Sequence, residues 1–210
     1  MKNLSLFRFI AVFAIFFTSC SDDDKKIAKK VFSAFGGERP TVRNYFNDSR
    51  DISVDIISVA GTPDVDISSY GTIGLSDYPM FWDGKEFPTR LELCGAALSS
   101  FSVFPNIIAE AAFTIIRSRE VWRPGSFIRD LVVNYEPNFG LRSLYITSPF
   151  FWDRDLHELI LSNKVVNWLM CFPISAAELG YLEKYGIDQF ESMLEEAGAD
   201  VFDTSRDSCV

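Results

Sequence analysis

The spacing of apolar residues along this chain alternates between a strand-like period of two and a helix-like period of about 3.6. Around 41–59 the period is two, and residues Asp51 to Ile56 alternate polar and apolar side chains like a half-buried strand. Phe87-Pro88 favours an extended entry into a strand whose Leu91 and Leu93 face inward. This pattern predicts strands at 41–59, 69–75, 79–82, 88–95, 127–134, 143–148 and 164–173.

Apolar residues at helical spacing occupy most of the remaining chain. Pro105 interrupts the longest run and suits the first turn of a second helix there. Ser175 and Glu178 have the spacing of a capping box, which predicts a helix start just after the last strand. Helices are predicted at 27–35, 96–118, 176–184 and 187–197. Strands, a long helix, more strands and terminal helices, in that order, predict a single α+β domain over 31–210, with a mainly antiparallel sheet packed with helices.

The first twenty residues have the pattern of an export signal. Lys2 and Arg8 form a short basic region, and an unbroken apolar run of nine residues follows at 9–17. A helix of that length is too short for a hydrocarbon core of roughly 30 Å. Thr18-Ser19-Cys20 then resembles the lipobox of bacterial lipoproteins, although Phe17 is bulkier than the usual Leu. We therefore expect residues 1–19 to be a lipoprotein signal peptide and Cys20 to carry the lipid.

Residues 20–30 are read as a charged tether between that lipid and the domain, because they hold mostly Asp and Lys. The acidic cluster directly after Cys20 resembles the export signal of surface-exposed lipoproteins. The expected location is thus the cell envelope, with the protein lipid-anchored at the outer membrane or cell surface. An uncleaved membrane anchor and a misassigned start codon are the alternatives.

Charge narrows the class of partner. The whole chain carries −9, and removal of a leader that holds Lys2 and Arg8 but no acid makes the charge −11 over 191 residues. Such a field repels nucleic acid and anionic headgroups and steers basic partners inward, although ordinary solubility explains it equally well. The final 33 residues hold nine acids against two bases. This excess of acids favours a binding surface for a basic protein partner. The alternative is a helical face that is acidic only because it is exposed to solvent.

Candidate catalytic and metal-binding residues are few. His157 is the single histidine, so no site with two histidines exists, and its polar surroundings indicate a surface position. Cys94 and Cys171 lie in apolar segments and are read as buried thiols, with a disulfide between them as the alternative; Cys209 lies in the tail. Asp64 with Asp66, and Asp153 with Asp155, lack the rest of a calcium loop. We expect no metal, no cofactor and no catalytic residues.

Two aromatic loops and the acidic tail are the candidate binding elements. Pro79-Met-Phe-Trp82 and Pro149-Phe-Phe-Trp-Asp153 place bulky rings beside loops, where Trp is a typical interaction anchor. A core position beneath the loop is the competing interpretation for each ring. The candidate partner-binding residues are Trp82, Trp152, Asp153, Glu191, Glu195 and Glu196.

Several blocks along the chain, in order, resemble the suppressor-of-fused domain, especially its small bacterial members. The blocks are Val31-Phe-Ser-Ala-Phe-Gly-Gly37, Asp55-Ile-Ile-Ser-Val59, Ser69-Tyr-Gly-Thr-Ile-Gly-Leu-Ser-Asp77, Arg90-Leu-Glu-Leu93, Ser148-Pro-Phe-Phe-Trp-Asp153, Val166-Asn-Trp-Leu-Met-Cys-Phe-Pro-Ile-Ser175, Glu178-Leu179, and Phe202-Asp203 with Arg206-Asp-Ser208. The resemblance implies a binding domain without a catalytic set. In bacteria it implies an antitoxin or immunity protein that neutralises a polymorphic toxin; in animals, a regulator that binds transcription factors.

The leading hypothesis is therefore a non-enzymatic, lipid-anchored immunity protein that binds a toxin domain stoichiometrically. The alternatives are an envelope scaffold or binding lipoprotein without a toxin partner, and a hydrolase that uses scattered carboxylates or pairs Cys94 with His157. The lipid leader is the one departure from the resemblance, because the small bacterial members usually look cytoplasmic.

Overall fold

The computed structural model describes residues 21–152 and 155–210. In these residues eight strands form one sheet: β1 (Pro40–Phe46), β2 (Ser53–Ala60), β3 (Ile67–Ile73), β6 (Thr89–Leu98), β7 (Ser126–Ile128), β8 (Ser143–Thr147), β9 (Leu159–Ile160) and β10 (Val165–Ile174). A separate hairpin holds β4 (Phe81–Trp82) and β5 (Lys85–Glu86). The strand order in the sheet is β1-β2-β3-β6-β10-β8-β7, with β9 paired to β10. All of its strand pairs are antiparallel except β6 with β10, which run parallel.

Helices cover both faces of the sheet, and their bounds are α1 (Asp22–Phe35), α2 (Phe104–Ser118), α3 (Ala176–Tyr185) and α4 (Ile187–Glu196). Helices α1, α3 and α4 contribute to the core on one face, and α2 fills the core on the other. The inner strands are buried on both sides, as in β3 and β8, all of whose residues are buried, whereas the edge strand β1 has no fully buried residue. The prediction of an α+β domain with a mostly antiparallel sheet is confirmed.

Helix α1 begins earlier than the sequence pattern predicts. Ser21 caps it: the Ser21 hydroxyl accepts from the Asp24 amide, and the Asp24 carboxylate accepts from the Ser21 amide. The three aspartates at 22–24 also suit the positive end of the helix dipole. Residues 22–26, predicted as part of a charged tether that becomes helical only at about 27, are therefore helical as well, because acids that look like a solvated charge run also start a helix. Cys20 and the leader lie outside the described residues.

Strand β6 extends to Leu98, so the residues at 96–98 are strand and not the start of a helix. Small side chains permit this close packing: a Cβ on Gly95 would lie 2.6 Å from the Cys171 carbonyl oxygen and 3.2 Å from the Phe104 ring. Pro105 sits in the first turn of α2, as predicted.

Two further segments differ from their predictions. The region 41–59 contains a turn between β1 and β2, where the Asn47 side-chain oxygen accepts from the amides of Asp51 and Ile52 at 3.1 Å each. The segment 127–134 contains the short β7 followed by a 3₁₀ turn at Val132–Asn134, because its apolar residues do not alternate over a full strand. Both differences come from polar or short-range contacts that spacing alone does not reveal.

The cysteines that the structure describes are free thiols. Cys94 and Cys171 are buried on the neighbouring strands β6 and β10, and the Cys171 thiol lies 3.4 Å from the Cys94 carbonyl oxygen. The prediction of two buried core thiols is confirmed, and no disulfide joins them. Among the described helices, none combines the length and apolarity that crossing a bilayer requires.

A candidate protein-interaction surface

Helix α4 presents a row of carboxylates to solvent. Its buried residues Phe190 and Leu194 fix the inward face, so residues at helical spacing on the other side point outward. Asp188, Glu191, Glu195 and Glu196 are all exposed. We call these four residues the acidic face of α4.

Glu191 also locks this helix onto the sheet. Its Oε1 accepts from the Tyr145 hydroxyl at 2.9 Å and from the Thr147 hydroxyl at 2.5 Å, both on β8. Burial and the adjacent Glu191 carboxylate raise the pKa of Tyr145, so this hydroxyl remains a donor at neutral pH. The acidic face therefore has a fixed position relative to the sheet.

Glu195 and Glu196 are the freest acids of this surface. Within residues 21–152 and 155–210, neither side chain forms an ion pair or a hydrogen bond. Unpaired carboxylates on a rigid helix can meet basic side chains of a partner without first breaking an internal contact. Among the predicted partner-binding acids that the structure describes, these two are the ones without an internal contact.

Glu178, by contrast, is not available to a partner. Its side chain is fully buried and accepts from Arg206 at 2.6 Å and 3.1 Å, from the Ser175 amide at 2.8 Å and from the Cys209 amide at 3.0 Å. Burial alone would raise the pKa of Glu178, but these four donors hold it below its usual value. Of the nine acids in the tail, Glu178 therefore has a structural role: it links the C-terminal residues Arg206 and Cys209 to the start of α3.

Trp82 stands where the sequence places it. It lies on β4 with 62% of its surface exposed, whereas Trp is on average a highly buried residue in folded proteins. The hairpin that carries it is fixed, because the Phe81 amide donates to the Arg119 carbonyl oxygen at 2.7 Å. An exposed indole on a held hairpin is a typical interaction anchor.

Trp152 is not a surface anchor: of the two interpretations of this ring, the structure gives the core position beneath the loop. Only 4% of it is exposed, and its ring packs against Phe35 at the end of α1 and against Phe202 in the tail, with centroid distances of 4.9 Å and 5.9 Å. The exposed rings of this loop are instead Phe150 and Phe151, at 55% and 50%. Three consecutive aromatics cannot all point the same way, and the largest one turned inward. Asp153 lies outside the described residues.

The described residues offer no arrangement for hydrolysis through Cys94. That thiol is buried, and burial raises its pKa well above the usual value, so it stays protonated. His157 is exposed, as predicted, and no hydrogen bond joins the two side chains. In the same part of the chain, no group of three or more His, Cys, Asp or Glu residues could hold a metal ion.

The fully buried Glu92 is the other carboxylate that could suggest chemistry. Its oxygens accept from the Thr72 hydroxyl at 2.5 Å and from the amides of Gly74 and Ser76 at 3.1 Å and 3.0 Å. Burial raises the pKa of Glu92. Because its oxygens are occupied by the chain itself, Glu92 serves to hold the 74–77 turn onto β6.

The structure is thus an α+β domain. Its buried carboxylates, Glu92 and Glu178, form hydrogen bonds within the fold, and its other prominent acids are exposed on α4. Comparison with known proteins gives the family: the model of the Suppressor of fused protein (SUFU) family matches residues 50–207. The chain belongs to the suppressor-of-fused family, as its sequence blocks predict.

One relative has a name that states a role, which the family name does not. The "Immunity protein YqcF" of Bacillus subtilis (strain 168) is 37% identical over 190 residues, which cover 90% of this chain and 98% of the relative.

Solved structures share the fold. A suppressor-of-fused homolog from Neisseria gonorrhoeae superposes with a TM-score of 0.67 at 15% identity, covering 90% of this chain and 97% of that one. A chain of the Sufu–Fu complex gives 0.63 at 12% identity, with coverage of 89% and 92%. At these identities the likeness concerns the fold.

Proposed function

We propose that this protein is a membrane-tethered immunity protein that neutralises a toxin by binding it stoichiometrically. The carrying observation is its 37% identity, over nearly the full length of both chains, to a protein named as an immunity protein. That a suppressor-of-fused chain is found in a complex with a protein, Fu, also supports a protein partner. The partner of the present chain is a toxin domain with a basic surface.

The acidic face of α4 supports a basic partner. Four exposed carboxylates on a helix that Phe190 and Glu191 hold in place form a preorganised negative surface. Such a surface speeds encounter with a positively charged domain and loses little freedom when the complex forms. Binding of this kind covers the toxin and requires no turnover.

Cys20 supplies the tether in this proposal. Its expected two or three acyl chains would gain about 0.8 kcal/mol per buried CH₂, enough for stable attachment. Only Ser21 separates Cys20 from α1, whose Ile27 and Val31 are fully buried in the core. The domain would therefore be held directly at the lipid surface, where a toxin from a neighbouring cell must pass. Tethering there raises the effective concentration of the immunity protein.

The test is growth rescue. Each gene that neighbours this one is expressed with and without the full chain. The proposal predicts that one of these neighbours is toxic and that its cells grow only when the full chain is co-expressed. Glu195→Lys with Glu196→Lys should weaken toxin binding about tenfold or more, since like charges then face each other. The matched control, Glu38→Lys with Asp66→Lys, makes the same charge change at two exposed acids elsewhere and should protect fully. Absence of any rescue by the wild-type chain would instead support an envelope scaffold.

The anchor is tested separately. Cys20→Ala should abolish metabolic labelling with a fatty-acid analogue and move the protein out of the membrane fraction. A variant that keeps both label and membrane association would show that Cys20 is not the anchor.

A further inference from the structure

A groove of about 390 Å³ opens between the β4–β5 hairpin, the segment 121–124 and the neighbouring strands β6 and β10. The least exposed residues that line it are Met80, Leu91 and Leu169, each at 8% or below. Its volume lies within the roughly 300–1,000 Å³ typical of ligand pockets, towards the lower end. The groove therefore offers an apolar floor that can receive a bulky side chain.

Two tryptophans line this groove, and local contacts hold the Trp122 ring and the hairpin that carries Trp82. Trp122 is partly buried and its indole Nε1 donates to the Ser118 hydroxyl at 3.0 Å, which fixes the ring against the end of α2. Trp82 lines the groove from the hairpin. The Arg119 guanidinium lies 4.7 Å from the centroid of the Phe81 ring, next to Trp82, and adds to the hairpin's attachment. The groove is thus built before any partner arrives.

Arginines give the edge of the groove a positive charge in a chain of net charge −9. Arg90 lines it and is paired with Glu86 at 2.6 Å. Arg123 also lines it, is exposed, and has no ion pair within the described residues. The residues that line the groove include these two arginines and no Asp or Glu. The groove therefore differs in charge from the acidic face of α4 and selects a different kind of ligand.

We propose that this groove is a second binding site, which receives an extended peptide segment of a protein partner. The segment carries a bulky aliphatic or aromatic side chain next to an Asp or Glu. The apolar side chain fills the space between Trp82 and Trp122, and the adjacent carboxylate pairs with Arg123. Aromatic and Arg side chains of this kind dominate the energetics of protein interfaces. This site goes beyond toxin neutralisation, since it selects an acidic ligand.

A display library of random twelve-residue peptides, selected against the full chain, tests this site directly. Enriched peptides should share a bulky apolar residue within two positions of an acid. Synthetic copies should bind Arg123→Glu at least tenfold more weakly than the wild type, because attraction becomes repulsion. Trp82→Ala should weaken binding by a similar factor, since it removes a ring that lines the groove.

Arg39→Glu is the matched control, because Arg39 is exposed at the start of the sheet and its substitution changes the net charge equally. It should bind the peptides within twofold of wild type. The proposal is overturned if no peptide is enriched, if the enriched peptides are basic, or if Arg123→Glu and Arg39→Glu behave alike. Melting curves of the variants confirm that each is folded. The peptides contain no toxin, so this result is independent of the growth-rescue outcome.

Discussion

The buried ion pair between Glu178 and Arg206 gives a stability test that distinguishes a structural acid of the tail from its exposed, partner-binding acids. Glu178 is fully buried and the Arg206 side chain is 8% exposed. Arg206→Met keeps the apolar stem but removes two of the four donors to the carboxylate, leaving the amides of Ser175 and Cys209. A buried charge deprived of its partner costs about 3–5 kcal/mol, so we expect the free energy of unfolding at pH 7 to fall by that amount.

The pH dependence of this loss follows from the pKa of Glu178. In the wild type that pKa is held below its unfolded value, so the stabilisation is present above roughly pH 4.3 and fades as the pH falls through the folded value. In Arg206→Met, burial without the guanidinium raises the pKa. The penalty should then be greatest at neutral pH and shrink towards pH 4, as Glu178 takes up a proton.

Urea denaturation followed by tryptophan fluorescence measures this effect. Adding Glu178→Gln to Arg206→Met removes both charges and should recover part of the loss. Arg142→Ala, which breaks an exposed pair with Asp130, is the control and should cost no more than about 1 kcal/mol. A loss below about 1 kcal/mol for Arg206→Met, or one that does not change with pH, would refute the reasoning.

Three further variants test the packing. Trp152→Ala should lower the free energy of unfolding by about 3–5 kcal/mol in urea denaturation, whereas Trp82→Ala at the surface should change it by less than about 0.5 kcal/mol; equal losses would contradict their placement. Gly95→Ala should cost about 1–3 kcal/mol in the same assay, because its Cβ meets the Cys171 carbonyl oxygen, and an unchanged midpoint would contradict that contact. Cys94 and Cys171 should resist an aromatic disulfide reagent at pH 8 until urea is added, since burial raises the pKa of Cys171 to about 12; rapid labelling of the folded chain would contradict this burial.

Much of the fold could be read from the sequence because each element follows a local rule. Alternation identified most of the long strands, and the capping box at Ser175 located α3 within a residue. Non-local pairing could not be read: the parallel contact between β6 and β10 joins segments more than seventy residues apart. The spacing of apolar residues predicts too late a start for α1, because its first turn consists of three aspartates that add nothing to that spacing.

The sequence predicts fewer features of the candidate binding surfaces than of the fold. Glu195 and Glu196 are exposed as their helical spacing predicts, and Trp82 is exposed beside its turn. Trp152 could not be assigned, since nothing in a Phe-Phe-Trp run states which ring turns inward. Arg123 and Trp122 were missed because the groove forms only when the β4–β5 hairpin folds against residues that follow α2.

The central claim is stoichiometric neutralisation, and titration tests it most directly. The activity of the purified toxin that the growth-rescue experiment identifies would be measured as increasing amounts of this protein are added. Binding predicts a linear decrease that ends at equal molar amounts, with the acidic-face variant Glu195→Lys and Glu196→Lys requiring a large excess. Complete loss of activity at a small fraction of one equivalent would indicate turnover. Full activity in excess protein would show that this chain is not the toxin's immunity protein.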